Sequence, residues 1–163
     1  MPKRGARTMT ELDRLDRRIL RTLLDEPEST SQALSEQVHL SPTAVQRRVR
    51  RLKAAKVIEG HSVIVSPKAV GRPISMFVNV ILEREKADVI DRFKQAIRSR
   101  PEIMMGHHVT GETDFVLLVT ARTMEDFEEF TRSFLYAFPE VKTFKTNVVM
   151  DRVKTGFGVP IED

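Results

Sequence analysis

The sequence predicts an α+β chain in two parts: an N-terminal winged helix-turn-helix and a C-terminal ferredoxin-like domain in the order βαββαβ. Three observations carry this. Apolar residues recur at helical spacing through the first 55 residues. β-branched runs replace them beyond a cluster of Pro67, Gly71 and Pro73. Charge is also divided unevenly: up to Gly60 there are 13 Lys and Arg against 8 Asp and Glu, and after it 14 against 15. A basic piece joined to a near-neutral piece suggests that one part meets a polyanion and the other does different work.

The boundaries follow from these shifts. Residues 1–10 form a basic tail, 11–60 the helical domain, 61–73 a linker strand and loop, and 74–163 the second domain. At 163 residues with 40% hydrophobic and 31% charged composition, the chain can bury a core and stay in solution. It contains no cysteine, which excludes disulfides, thiolate metal sites and thiol nucleophiles. Its opening residues lack the apolar stretch of a signal peptide, and no run of about 18 apolar residues occurs, so the expectation is a cytoplasmic protein without membrane association.

Leu12, Leu15, Ile19 and Leu23 step by three and four with Arg14, Arg17, Arg18 and Arg21 between them, which predicts an amphipathic first helix ended by Pro27. Ser29-Thr30-Ser31-Gln32 offers capping hydroxyls, with Gln32 placed to close a capping box, and Leu34 and Val38 give a short second helix stopping near His39-Leu40. Ser41 can cap a third helix and Pro42 suits its first turn, so that helix is expected from about Thr43 to Ala55. Beyond it, Val57–Val65 holds two β-prone runs around Gly60, read as a wing or linker strand.

Val45, Val49 and Leu52 share one face of the third helix, while Thr43, Arg47, Arg50, Arg51 and Ala54 fall on the other. Between Thr43 and Lys56 six positive charges meet no acidic residue. A solvated charged face accounts for such a run, but like charges at that density repel unless an anion sits among them, which favours nucleic acid, and the motif that follows makes it double-stranded DNA. A helix, a tight turn and a second helix led by small residues match the motif whose second helix enters the major groove by its N-terminal end. Thr43, Ala44, Gln46 and Arg47 can then reach base edges, with Ser41 at the helix start also counted among the DNA-binding residues: Arg47 can donate twice to guanine and Gln46 can pair with adenine. Arg50 and Arg51 suit phosphate, and Arg48 lies at the flank.

In the second part, residues 74–82 place Met76, Val78, Val80 and Leu82 on one face and Phe77 and Ile81 on the other, a strand. Ile90, Phe93 and Ile97 keep helical spacing. Strands at Ile103–Thr110 and Asp114–Thr120 flank the hairpin-like Gly111-Glu112-Thr113, and a helix from Met124 to Ala137 aligns Phe127, Phe130, Phe134 and Phe138 before a last strand, Val141–Met150. Two helices can cover only one face of such a sheet. Phe115–Val119 is apolar on both faces, so a second copy is expected to cover the other, giving a homodimer.

In order and spacing the chain resembles the Lrp/AsnC family of transcription regulators from Leu12 to Lys154. The resemblance rests on Leu12-Asp13-Arg14-Leu15-Asp16-Arg17-Arg18-Ile19-Leu20, on Leu40-Ser41-Pro42-Thr43 leading to Arg48-Val49-Arg50-Arg51-Leu52, on Ile58-Glu59-Gly60, on Val109-Thr110-Gly111-Glu112-Thr113-Asp114-Phe115, and on Val148-Val149-Met150 with Val153-Lys154. It implies a DNA-binding regulator modulated by an amino acid or related small metabolite, with dimers assembling into octamers or related rings. It also implies an effector site at the interface between dimers, lined by Gly111, Glu112, Thr113 and Asp114, with Thr146 matching the pattern. Backbone amides there can hold a carboxylate, and Asp114 or Glu112 can pair with an amino group. A plain hairpin turn accounts for the same residues. Glu112 and Phe115 depart from the family's usual Gly-Asp-x-Asp-Tyr, and Phe144 replaces a common threonine, so the resemblance names neither leucine nor asparagine as the ligand.

Other chemistry finds little support. His107 and His108 are neighbours in a strand and point to opposite faces, which argues against a shared metal ion. Glu125, Asp126, Glu128 and Glu129 open a helix, where carboxylates favour the positive end of the dipole. No phosphate-binding glycine loop or paired nucleophile and base is visible, so the expectation is no enzyme, no catalytic residues and no required cofactor.

Overall fold

The computed structural model describes residues 11–83, 86–156 and 158–162; the basic tail read at 1–10 lies outside the described residues. The chain divides into two compact units, Met1–Val63 with Thr155–Asp163, and Ile64–Lys154.

The first unit holds α1 (Arg14–Asp25), α2 (Ser31–Val38) and α3 (Pro42–Ala54). Each begins where a side-chain oxygen can satisfy an orphan amide. Asp13 caps α1 and accepts from the Asp16 amide at 2.8 Å, while Asp16 reaches back to the Asp13 amide at 3.2 Å, a reciprocal capping box. Thr30 caps α2, one residue later than the expected box requires, so Gln32 falls at the second helical position and does not close it; Ala33 donates to Thr30 instead. Ser41 caps α3, with Pro42 in the first turn as expected. His39 ends α2 in the left-handed region at φ 54°, which turns the chain sharply into α3. Ile19, Leu34, Val38 and Val45 form the core, with Leu15, Leu23, Leu40 and Val49 around it.

One expectation about this unit is corrected. Residues 57–65 form no strand: a ladder needs a partner, none is offered among the described residues, and Val63, Ile64 and Val65 stay exposed. The segment after Lys154, which the sequence reading places with the second domain, makes hydrogen bonds to α1. Arg21 Nε donates to the Ile161 carbonyl at 2.9 Å and Arg17 to that of Glu162 at 3.3 Å.

The second unit has the order β1 (Ile74–Leu82), α4 (Ala87–Arg98), β2 (Ile103–His108), β3 (Phe115–Ala121), α5 (Met124–Phe130) and β4 (Val141–Val148), with a π-helical turn at Thr131–Leu135 extending α5. The sheet order is β2-β3-β1-β4, antiparallel throughout, as the βαββαβ order requires. Met76, Val78 and Val80 share one sheet face with Phe115, Leu117 and Val119, and the helices cover that face. Phe93 of α4 sits among Phe115 and Phe138, both edge-on at 4.9 Å, and Phe134, stacked at 5.6 Å. The opposite face carries Phe77, 44% exposed, beside its cross-strand neighbour Leu118, with Val116 and Ile81 half-buried.

The acidic cluster is structural. Thr123 caps α5, and Asp126 accepts from the Arg122 guanidinium at 2.6 Å and the Arg122 amide at 3.0 Å. The Arg122 side chain foremost, then its amide, lowers the Asp126 pKa to about 2. A depressed carboxylate stabilises the fold above its unfolded value and loses that contribution as pH falls through the folded value. Asp126→Asn should therefore denature much like the parent below about pH 2 and be less stable above about pH 4, measured by acid titration of helical circular dichroism.

Candidate functional site

The exposed surface of α3 presents Thr43, Gln46, Arg47 and Arg50, with Ala44 half-buried, while Val45 and Leu52 face inward. The local reason is the alternation of apolar residues at three- and four-residue steps, which turns every intervening side chain outward. Ser41 is exposed at the start of the helix, its hydroxyl accepting from the Ala44 amide at 3.2 Å.

The six cations from Arg47 to Lys56 are not equivalent. Arg48 Nη1 donates to Asp13 at 2.6 Å and to Asp16 at 2.9 Å, and Arg51 Nη2 pairs with the other Asp16 oxygen. The Asp16 side chain is 0% exposed. A buried carboxylate needs this compensation, because charge taken out of water must find both countercharge and hydrogen bonds. Hydrogen bonding to Arg48 foremost holds the Asp13 carboxyl below its ordinary range, and the Arg48 guanidinium is correspondingly raised.

Arg48 and Arg51, read as a flanking DNA contact and a phosphate grip, also brace α3 against α1 through these pairs, while the Arg51 side chain stays 50% exposed. Arg47, Arg50, Lys53 and Lys56 make no ion pair among the described residues. They sit on the same exposed stretch as Thr43 and Gln46, so a cationic surface led by small polar side chains faces solvent.

Asp13 and Asp16 are the functional residues that sequence reasoning missed. The signal was present: two acids three residues apart ahead of an apolar helix are a capping signature. That they also reach α3, 32 to 35 residues away, is not readable from spacing.

In the second unit, Gly111, Glu112, Thr113 and Asp114 come together in the β2–β3 hairpin. Gly111 adopts φ +121°, and a side chain there would meet open space. Asp114 is committed locally: its Oδ2 accepts from the Leu82 amide at 2.7 Å and its own amide donates to Val80 at 3.0 Å. The Thr113 hydroxyl donates to the Val80 carbonyl at 2.8 Å. These two residues tie the hairpin to the end of β1, leaving Gly111 and Glu112 as its exposed part. Thr146 lies on β4, separated from β3 by β1, so one subunit does not bring it to the hairpin.

Residues 12–59 match the winged helix-turn-helix DNA-binding family, and residues 75–159 match the Lrp/AsnC ligand binding domain. An uncharacterised HTH-type transcriptional regulator of Sinorhizobium fredii is 56% identical over 152 residues, covering 93% of this chain and 90% of its own. The leucine-responsive regulatory protein of Escherichia coli is 33% identical over 144 residues, covering 88% of each chain. Among solved structures, a transcriptional regulator from Neisseria meningitidis in complex with L-Met superposes with a TM-score of 0.84 at 29% identity, over 92% of this chain and 97% of that one.

Proposed function

The chain belongs to the Lrp/AsnC family of transcriptional regulators, and from that premise we propose that it binds specific DNA sequences under the control of an amino acid or related metabolite held between dimers. It is a regulator with a DNA-binding and a ligand-binding domain, and its relatives are regulators rather than enzymes. The observation that carries the reading is the exposed face of α3, where Arg47, Arg50 and Lys53, with Lys56 just beyond the helix, make no ion pair among the described residues and Thr43 and Gln46 stand beside them.

In this reading Thr43, Ala44, Gln46 and Arg47 meet base edges and Ser41 and Arg50 meet the backbone, while Arg48 and Arg51 set the tilt of the helix. Acting on the chromosome also puts the protein in the cytoplasm, the compartment the sequence predicts. The test is a mobility-shift assay with the DNA upstream of its own gene against random duplex. Binding is expected to be at least about a thousandfold tighter to a specific site and to weaken steeply with salt. Equal affinity for both duplexes rejects the reading.

Dimerisation through the open sheet face is supported by Phe77, Leu118, Val116 and Ile81, which present apolar surface to solvent in one copy. Leu118→Asp buries a carboxylate in that interface and should convert the dimer to monomer in sedimentation velocity, with the parent remaining dimeric or larger at micromolar concentration. Octamers or related rings would then be built from such dimers.

The Neisseria meningitidis complex with L-Met supports an amino-acid effector. Within the hairpin, the exposed backbone around Gly111 and the Glu112 carboxylate are the contacts available to a zwitterion, with Thr113 and Asp114 shaping the loop and Thr146 supplied by a neighbouring subunit. Screening the twenty amino acids by thermal shift identifies the effector, because a ligand that prefers the native state raises its midpoint.

A further inference from the structure

A second cleft, built from none of those hairpin residues, lies where α4 passes over the edge strand β2. Lys94, Ile97 and Arg98 line it from α4, Gly106 and His108 from β2, and Phe115 from β3, around about 160 Å³. That is the space of roughly five water molecules, enough for a compact small molecule with one end in solvent.

Its lining is chemically one-sided. Phe115 is almost fully buried and, with Ile97, makes an apolar floor. The His108 ring stacks on Phe115 at 4.8 Å, which fixes its orientation at the cleft wall. Gly106 lets α4 come this close: a Cβ there would stand 2.8 Å from Ile97 Cγ2. Lys94 and Arg98 are one helical turn apart on the same face of α4, and neither has an ion pair or hydrogen bond among the described residues. Like charges at that spacing destabilise a helix. Asp91, three residues before Lys94, makes no ion pair with it. Two cations without ion pairs and an imidazole ring thus line one cleft together with apolar Ile97 and Phe115, with no carboxylate in the lining.

We propose that this cleft binds small monocarboxylates with a short branched apolar tail and rejects the corresponding α-amino acids. The carboxylate fits the Lys94, Arg98 and His108 end, where charge-assisted hydrogen bonds are strongest, and the tail lies on Ile97 and Phe115. An α-ammonium group would stand beside two cations with no acid to receive it. The inference reaches beyond the hairpin reading and does not depend on it.

The test uses the full chain with labelled isoleucine methyl groups, titrated with 3-methylbutanoate and with L-valine, which shares its carbon skeleton and adds the ammonium. Sodium chloride at matched ionic strength is the control. The Ile97 methyl signal should move saturably with 3-methylbutanoate, with Kd on the order of 1 mM for so small a ligand. The Ile97 signal should respond to L-valine at least about tenfold more weakly, whatever L-valine does at the hairpin, and the double variant Lys94→Gln/Arg98→Gln should weaken 3-methylbutanoate binding by a similar factor. The remaining isoleucine signals verify that the variant is folded. Glu112→Gln should leave the titration unchanged. The proposal is overturned if the Ile97 signal does not saturate, if L-valine binds as tightly, or if the double variant binds as the parent does. A protein that passes this test but fails the mobility shift retains the cleft and loses the DNA reading.

Discussion

Replacing Arg47 with alanine is expected to flatten the protein's preference among DNA sequences while leaving most of its general affinity for duplex intact. Arg47 is exposed near the N-terminal end of α3 and has no protein partner among the described residues, so both guanidinium edges are available to one base. A bidentate contact to guanine is worth about 1–3 kcal/mol of discrimination, so specific affinity should fall roughly tenfold to a hundredfold with little change on random DNA. Arg50→Ala is the contrast. One turn further along, it should weaken binding to all sequences and reduce the slope of log affinity against log salt by about one. Fluorescence anisotropy across a salt series with specific and random duplexes separates the two. Identical effects of both changes on both duplexes would show that base and phosphate contacts are not divided between them.

The largest stability effect is expected at Asp16. Asp16→Asn keeps the size of the side chain but removes the charge that holds Arg48 and Arg51, and it leaves a guanidinium facing a neutral amide in a site shielded from water. Breaking a buried pair from one side costs about 3–5 kcal/mol; because Arg51 is half exposed and can turn to solvent, about 3 kcal/mol is expected. Urea denaturation followed by circular dichroism measures it. Asp13→Asn is the comparison, since Asp13 is half exposed and a cap of this kind is worth about 1 kcal/mol. DNA binding of Asp16→Asn should fall even where the variant is fully folded, because α3 loses the anchor that sets its tilt. If the two aspartate variants are equally stable, Asp16 is not the keystone of the α1–α3 contact.

The periodicities were sufficient for the helices and strands, because burial of one face imposes a repeat of 3.6 or 2 that survives in the order of residues. The helix start at Ser41-Pro42 was legible for a related reason: capping is local chemistry within three residues. Gln32 misled because two adjacent hydroxyls, Ser29 and Thr30, competed for the cap and the second prevailed. The run at 57–65 misled because β propensity describes a willingness to pair, and pairing requires a neighbour the chain's order does not specify.

The DNA-facing surface was half legible. Its exposed residues followed from helix geometry, but counting six free cations treated α3 as if it stood alone. The hairpin was legible as a turn, and only the contacts of Asp114 with Leu82 and of Thr113 with Val80 distinguish its structural part from its exposed part.

By itself the sequence determined which segments form helices and strands and which face of α3 is exposed, since each follows from a repeat among residues a few positions apart. Only the tertiary structure decided which arginines are occupied, where the segment beyond Lys154 lies, and that Lys94, Arg98 and His108 share a cleft. Those outcomes depend on contacts between residues far apart in the chain, whose partners are set by how the packed elements bring side chains within reach of one another rather than by any repeat along the chain.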